Sequence, residues 1–372
     1  MQIPFFTSSR EYEAHKAEFD SAVQSVMASG NFILGSEVSS FEEKARAWLG
    51  CKYAVGIASG SDGLVIGADI LGLRDGAEVL TPTFTFFAST SCVARLGGKP
   101  VFVDMDETTL DMNLDDAARR MTKNTKGIIP VHLFMQSCDM QRIMKMAREN
   151  GLQVLEDSAE AFGMKTMYNG SFKQAGTIGN IGVYSFFPTK TLGCYGDGGL
   201  MVTDDEDLYK KIKSFRVHGA SVKYNHDYIG YNSRLDSMQA AVLNVKMKWI
   251  DDSIRLRGEI AEKYTARLSG ISGLRIPEVA SYNKPVYYVY NVLADKRDEL
   301  ASFLKEKGIG TSIYYPKPLH LQKCFEYLGY KKGDFPVAER ISNQVLALPI
   351  FPELRDDEID YVCDAIKAFY GK

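Results

Sequence analysis

The sequence predicts an α/β protein, with a large domain built on a mainly parallel sheet between helices and a smaller C-terminal α+β domain. Two patterns predict it. From residue 53 onward, apolar runs of about five residues alternate with segments of helical period, the texture of parallel strands buried on both faces. After "GGLMVT" that alternation stops, and a long helical pattern leads into a tail of mixed elements.

The elements follow in order. Residues 8–29 have an amphipathic period; Ser8 with Glu11 three residues on is a capping box, and Gly30 ends the run. Val38, Phe41, Ala45 and Trp48, spaced by three and four, mark a second helix. "YAVGIAS" is then a strand and "SDGLVIGADILGL" a helix, "EVLTPTF" a strand and "FASTSCVARLGG" a helix. "PVFVD", "GIIPV", a helix around 139–149, and "LQVLED" continue the series, with "GVYSFF" and "GGLMVT" closing it. A helical pattern then runs from Ser233 through Leu235, Met238, Val242, Val245 and Trp249 toward Leu268. The tail contains an alternating strand "PVYYVYNVL", a helix from 297 to Gly308, a strand "TSIYYP" and a last helix over 356–370. The domain change falls within the long helix, giving a large domain over 1–250 and a small one over 251–372.

Composition narrows the function. With 45% apolar and 24% charged residues, the chain reads as an ordinary globular protein. Its formal net charge of −3 and lack of a basic run argue against nucleic acid as a partner. No leader and no membrane-length apolar segment is visible, so a cytoplasmic location is expected. The six cysteines show neither CxxC spacing nor nearby histidines, so no metal is expected and they read as reduced packing residues.

The chemistry centres on "SFFPTKTLGCYGDGG" at 185–199. Lys190 lies between an aromatic strand and a glycine-lined loop, a setting suited to a buried lysine that forms Schiff bases with carbonyls once its pKa is lowered. An ordinary turn lysine fits this local pattern equally well. Asp157 ends an apolar strand, where sheets of this type bind ligands. A carboxylate there can hold a pyridine nitrogen protonated, although such residues also serve as helix caps. "ASGSDGL" places Gly60, Ser61 and Gly63 at a strand-to-helix turn suited to a phosphate, and Ser185 can add a hydroxyl. Phe86 follows a strand and can stack on a flat ring or fill the core. Together these are the parts of a site for pyridoxal phosphate (PLP).

On "GNFILGSEVSSFE", "TPTFTFFAST", "VLEDSAEAFG", "SFFPTKTLGCYGDGG", "GYNSRLDSMQAA", "YYPKPLHLQ" and "LGYKKGDFPVAER", the chain resembles the nucleotide-sugar aminotransferases of the DegT family, which are fold-type I PLP enzymes. The resemblance implies a seven-stranded, mainly parallel sheet in the large domain. It implies that Lys190 carries the cofactor and shuttles protons, that Asp157 pairs with the pyridinium, and that Phe86 stacks on the ring. Gly60, Ser61 and Ser185 would hold the phosphate, with Asn232 reaching it from the other subunit of a homodimer. Arg234 matches an arginine suited to a substrate carboxylate. Tyr315 and His320 lie in a segment near the sugar nucleotide in similar enzymes. Glu160 stands where many members carry Gln as a cofactor contact, which alters the charge beside the ring. His218 is left outside the site, as a lone histidine beside a glycine.

The reaction implied takes an amino group from L-glutamate through the aminated cofactor (PMP) to a keto carbon of a nucleotide-linked hexose. The loop "TLGCYGDGG" with "NSRLD" is most similar to enzymes acting on 3-keto sugars, either UDP-3-keto-GlcNAc derivatives or dTDP-3-keto-6-deoxyhexoses. The products would serve a lipopolysaccharide, another surface glycan or an antibiotic. A 4-aminotransferase, and a regulatory protein that kept the PLP fold without turnover, are the alternatives. A dinucleotide-binding dehydrogenase fits poorly, because the glycine spacing of "GIASGSDG" departs from the full fingerprint.

Overall fold

A computed structural model of the chain describes residues 1–371. Its centre is a sheet of seven strands: β1 (Tyr53–Ile57), β2 (Glu78–Pro82), β3 (Lys99–Val103), β4 (Thr125–Ile128), β5 (Gln153–Asp157), β6 (Ile181–Ser185) and β7 (Gly199–Thr203). The spatial order is β1-β7-β6-β5-β4-β2-β3. Only β7 opposes its neighbours, pairing antiparallel with β1 and β6; the others share one direction. Their carboxyl ends therefore gather along one edge. β2 is buried at all five positions and β5 at four of five, as expected of strands covered on both faces.

The Gly60–Ile70 helix is pressed against this sheet. A Cβ on Gly63 would approach Ile57 Cδ1 to 2.5 Å and Val183 Cγ1 to 2.7 Å, so glycine permits the helix to lie this close to β1 and β6. That approach brings the start of the helix to the end of β6.

The C-terminal region has its own antiparallel sheet, Leu274–Arg275, Tyr290–Ala294 and Val345–Leu348, packed by the Ile250–Leu268, Arg297–Glu306 and Asp356–Phe369 helices. Ile3, 2% exposed, forms a parallel bridge with Ile309 and joins this core from the other end of the chain.

Four local expectations are corrected. The helix over 8–29 is two helices, Ser9–Ala14 and Lys16–Ser29, divided at His15, whose ring stacks on Trp249 at 3.8 Å. The capping box does not form: Ser8 has helical dihedrals, and Thr7 Oγ1 accepts from the Ser9 N–H at 3.2 Å. The long helix after Ser233 breaks at Met247–Trp249 into Ser237–Lys246 and Ile250–Leu268. "TSIYYP" is not a strand but makes one bridge, Ser312 to Ala347, and then runs along a cavity. Among the described residues, no helix is long and apolar enough to cross a membrane.

Candidate active site

A cavity of about 590 Å³ opens at the carboxyl edge of the sheet. Lys190 enters it from the turn after β6, where its N–H donates to Phe187 O at 2.9 Å. Its Nζ lies 3.3 Å from Glu160 Oε1 and 4.1 Å from the centre of the Tyr288 ring. The Tyr288 hydroxyl is hydrogen-bonded to Thr189 Oγ1 at 3.0 Å, so one tyrosine braces both the lysine and its neighbour. Burial disfavours the Lys190 ammonium, but Glu160, Tyr288 and Asp157 together outweigh it and hold the amine above the ordinary lysine range. Burial alone would lower the Lys190 pKa, and the acidic neighbours reverse that direction.

Asp157 is the last residue of β5 and is 3% exposed. Ser89 Oγ donates to its Oδ2 at 2.6 Å and the Ala159 N–H to its Oδ1 at 3.1 Å. Burial pushes the carboxyl's pKa up against these donors and against the nearby Lys190. Three residues on, Glu160 accepts from the Phe134 N–H at 2.9 Å through Oε2. Its Oε1 receives Lys190 and the Tyr315 hydroxyl, the latter at 3.4 Å.

The first turn of the Gly60–Ile70 helix also faces the cavity. Ser59 caps it, accepting from the Asp62 N–H at 3.1 Å, and leaves the adjacent first-turn N–H groups without intrahelical acceptors. Ser185, at the end of β6, lies against Gly60: a Cβ on Gly60 would stand 2.9 Å from Ser185 Cβ and 3.3 Å from its Cα. Glycine keeps this cradle open. An anion-favouring helix start, a hydroxyl, a buried carboxylate, a lysine and an aromatic wall around one cavity fit the phosphate, ring nitrogen, aldehyde and ring face of PLP.

The structure brings together Gly60, Ser61, Phe86, Asp157, Glu160, Ser185, Lys190 and Tyr315 in this cavity. Phe86 is 55% exposed and thus a wall residue rather than a core one. Asn232, Arg234 and His320 do not line it. Asn232 is exposed and bridges Val217 through its backbone, while Arg234 is half-buried. His320 is 1% exposed, with Nδ1 bonded to Thr83 Oγ1 at 2.8 Å and Nε2 to Glu339 Oε1 at 3.1 Å. Both ring nitrogens are occupied in packing.

Thr189, Tyr288 and Ser89 escaped the sequence reading. Thr189 is adjacent to the lysine, and Ser89 lies three residues after Phe86, so both had a positional signal. Tyr288, in the tyrosine-rich "YYVYNVL", had none; its place depends on the C-terminal region folding back over the sheet.

The model of the DegT/DnrJ/EryC1/StrS aminotransferase family matches residues 13–367. A "pleiotropic regulatory protein" of Geobacillus stearothermophilus is 44% identical, covering 100% of this chain and 99% of its own. A dTDP-3-amino-3,4,6-trideoxy-alpha-D-glucose transaminase of Streptomyces venezuelae is 37% identical, covering 98% and 96%. A UDP-2-acetamido-2-deoxy-3-oxo-D-glucuronate aminotransferase of Pseudomonas aeruginosa is also 37% identical, covering 98% and 99%. Among solved structures, S. venezuelae DesV in complex with a ketimine intermediate superposes with a TM-score of 0.96 at 35% identity, covering 100% and 99%. Bacillus subtilis NtdA with bound cofactor PMP superposes at 0.90 and 28% identity, covering 100% of this chain and 86% of that one. A family match over nearly the whole length, on a fold carrying this lysine–aspartate cavity, places the chain in the DegT/DnrJ/EryC1/StrS aminotransferase family.

Proposed function

We propose that this chain is a PLP-dependent aminotransferase that moves the amino group of L-glutamate to C3 of a nucleotide-linked 3-keto sugar, in the making of an amino sugar. The observation that carries this reading is the meeting of Lys190 and Asp157, from two different strand ends, in one cavity with the Gly60 helix start. The relatives named for transamination at C3 of dTDP- and UDP-linked sugars support the position of attack.

Bound PLP supplies an electron sink that eases proton loss from the donor's α-carbon. The residues do the rest. Asp157, oriented by Ser89 and Ala159, would anchor the ring nitrogen. Gly60, Ser61 and Ser185 would hold the phosphate. Phe86 and Tyr315 would wall the ring and sugar sides. Lys190 would bind the cofactor and carry the proton between substrate carbon and cofactor, with Glu160 fixing its Nζ. Arg234 is suited to the donor carboxylate. In a homodimer, Asn232 would reach the phosphate of the other subunit, which accords with its exposure and its place outside this cavity.

The test is incubation of the PLP-loaded protein with L-glutamate and matched 3-keto and 4-keto sugar nucleotides, with the amine located by NMR. Amination at C3 supports the reading, and amination at C4 alone overturns it. The name of the Geobacillus relative supports a second reading, a regulatory role without turnover. A Lys190→Ala variant that kept the parent's biological activity would favour that one.

A further inference from the structure

The Glu160–Lys190 contact has a particular construction. Both groups are shielded, at 7% and 14% side-chain exposure, and 3.3 Å apart. Glu160 is fixed independently of the lysine: the Phe134 N–H holds Oε2 at 2.9 Å, and the Tyr315 hydroxyl reaches Oε1 at 3.4 Å. The carboxylate thus keeps its place whether or not Lys190 leaves it. The other charged or titratable groups facing the pair are Asp157, from the end of β5, and Tyr288, beneath Nζ. Asp157 instead accepts from Ser89 and Ala159; Tyr288 presents its ring face and bonds Thr189 through its hydroxyl. Glu160 is therefore the acceptor within hydrogen-bond reach of the ammonium.

We propose that Glu160 is the resident hydrogen-bond acceptor of the Lys190 ammonium and, by holding the proton on Nζ, gates capture of the aldehyde cofactor. This rests on the reading that Lys190 is the residue that binds PLP. An ammonium has no lone pair with which to attack a carbonyl. One Nζ–H bond must break, its proton passing to water, to leave a neutral amine beside the Glu160 carboxylate. The freed nitrogen pair then forms the bond to the aldehyde carbon, and the aldehyde oxygen leaves with two protons as water. Glu160, the acidic neighbour within hydrogen-bond reach, opposes that loss of the proton by stabilising the ammonium.

Two readouts on the cofactor-free protein test the proposal. The first is trace labelling of Lys190 by an amine-reactive anhydride across pH, read by peptide mass spectrometry, which involves no cofactor. The second is the rate at which added PLP acquires the visible band of a lysine-linked cofactor. Glu160→Gln keeps the shape and an acceptor for the Phe134 N–H, so it should fold; Glu160→Ala provides a second variant. Both are expected to move the labelling midpoint down by about one unit or more, making Lys190 about tenfold more reactive at a fixed pH below it. The loading rate should rise by a similar factor. An unchanged labelling profile in both variants overturns the proposal, as does a shifted profile with a slower loading rate. A shifted profile with no lysine-linked band in any of the proteins overturns both the gating step and the reading of Lys190 as the PLP-binding residue, while an unchanged profile leaves that reading intact.

Discussion

Replacing Ser89 by alanine removes the shortest hydrogen bond to Asp157, the 2.6 Å bond to Oδ2, and leaves the Ala159 N–H on the other oxygen. A hydrogen bond to a charged group contributes about 1.5–3 kcal/mol, against about 0.5–1.5 kcal/mol for a neutral pair. The lost bond favours the charged form more than the neutral one, so its removal raises the Asp157 pKa further. The sign follows from burial. Asp157 already keeps its proton to a higher pH in the folded than in the unfolded chain. Its contribution to stability is therefore full below the unfolded value and lost as pH rises through the folded one. Ser89→Ala should deepen that loss. The variant's melting temperature is expected to fall by about 3–6 °C at pH 8 without cofactor, taking about 2 °C per kcal/mol for a long chain. The gap to the parent should narrow as pH is lowered. Differential scanning fluorimetry of the cofactor-free proteins across pH measures it. An equal gap at every pH would refute the argument that Ser89 acts on the charged form of Asp157.

Two further outcomes are expected. Gly60→Ala places a methyl against Ser185 in the proposed phosphate cradle, and should weaken PLP binding at least about tenfold, about 1.4 kcal/mol, while circular dichroism stays unchanged; titration of the visible band checks this. Asp111, 5% exposed, has its pKa raised to about 7, by burial above all, so stability should decline as pH rises through that range. Asp111→Asn should flatten the decline in melting temperature between pH 6 and 8.

The parts of the fold set by local sequence were legible. Strands such as "EVLTP" and "LQVLED" carry a short apolar run because both faces are covered, and that pattern exists in any window that contains them. Gly30 ends its helix in the left-handed conformation, as its type suggests. What failed depended on distant partners. His15 divides a helix whose local period is unbroken, and its stacking partner Trp249 lies more than two hundred positions away, itself at the break in the long helix. The same division applies to the site. Lys190, Asp157 and Gly60 could be read from their positions at strand ends. Tyr288 could not, because only the return of the C-terminal region puts it under the lysine. His320 lay in a suggestive segment, yet Thr83 and Glu339 occupy its ring nitrogens. The rise in the Lys190 pKa likewise required knowing that Glu160 lies 3.3 Å from it, since burial alone argues for the opposite direction.

The measurement to make first is the near-UV and visible absorption spectrum of the protein reconstituted with PLP, before and after L-glutamate, beside Lys190→Ala. A visible band that is absent from the variant and bleaches toward the PMP form on adding L-glutamate is expected of a transaminase working through Lys190. A protein that acquires no such band, or one whose band L-glutamate leaves unchanged, would contradict it.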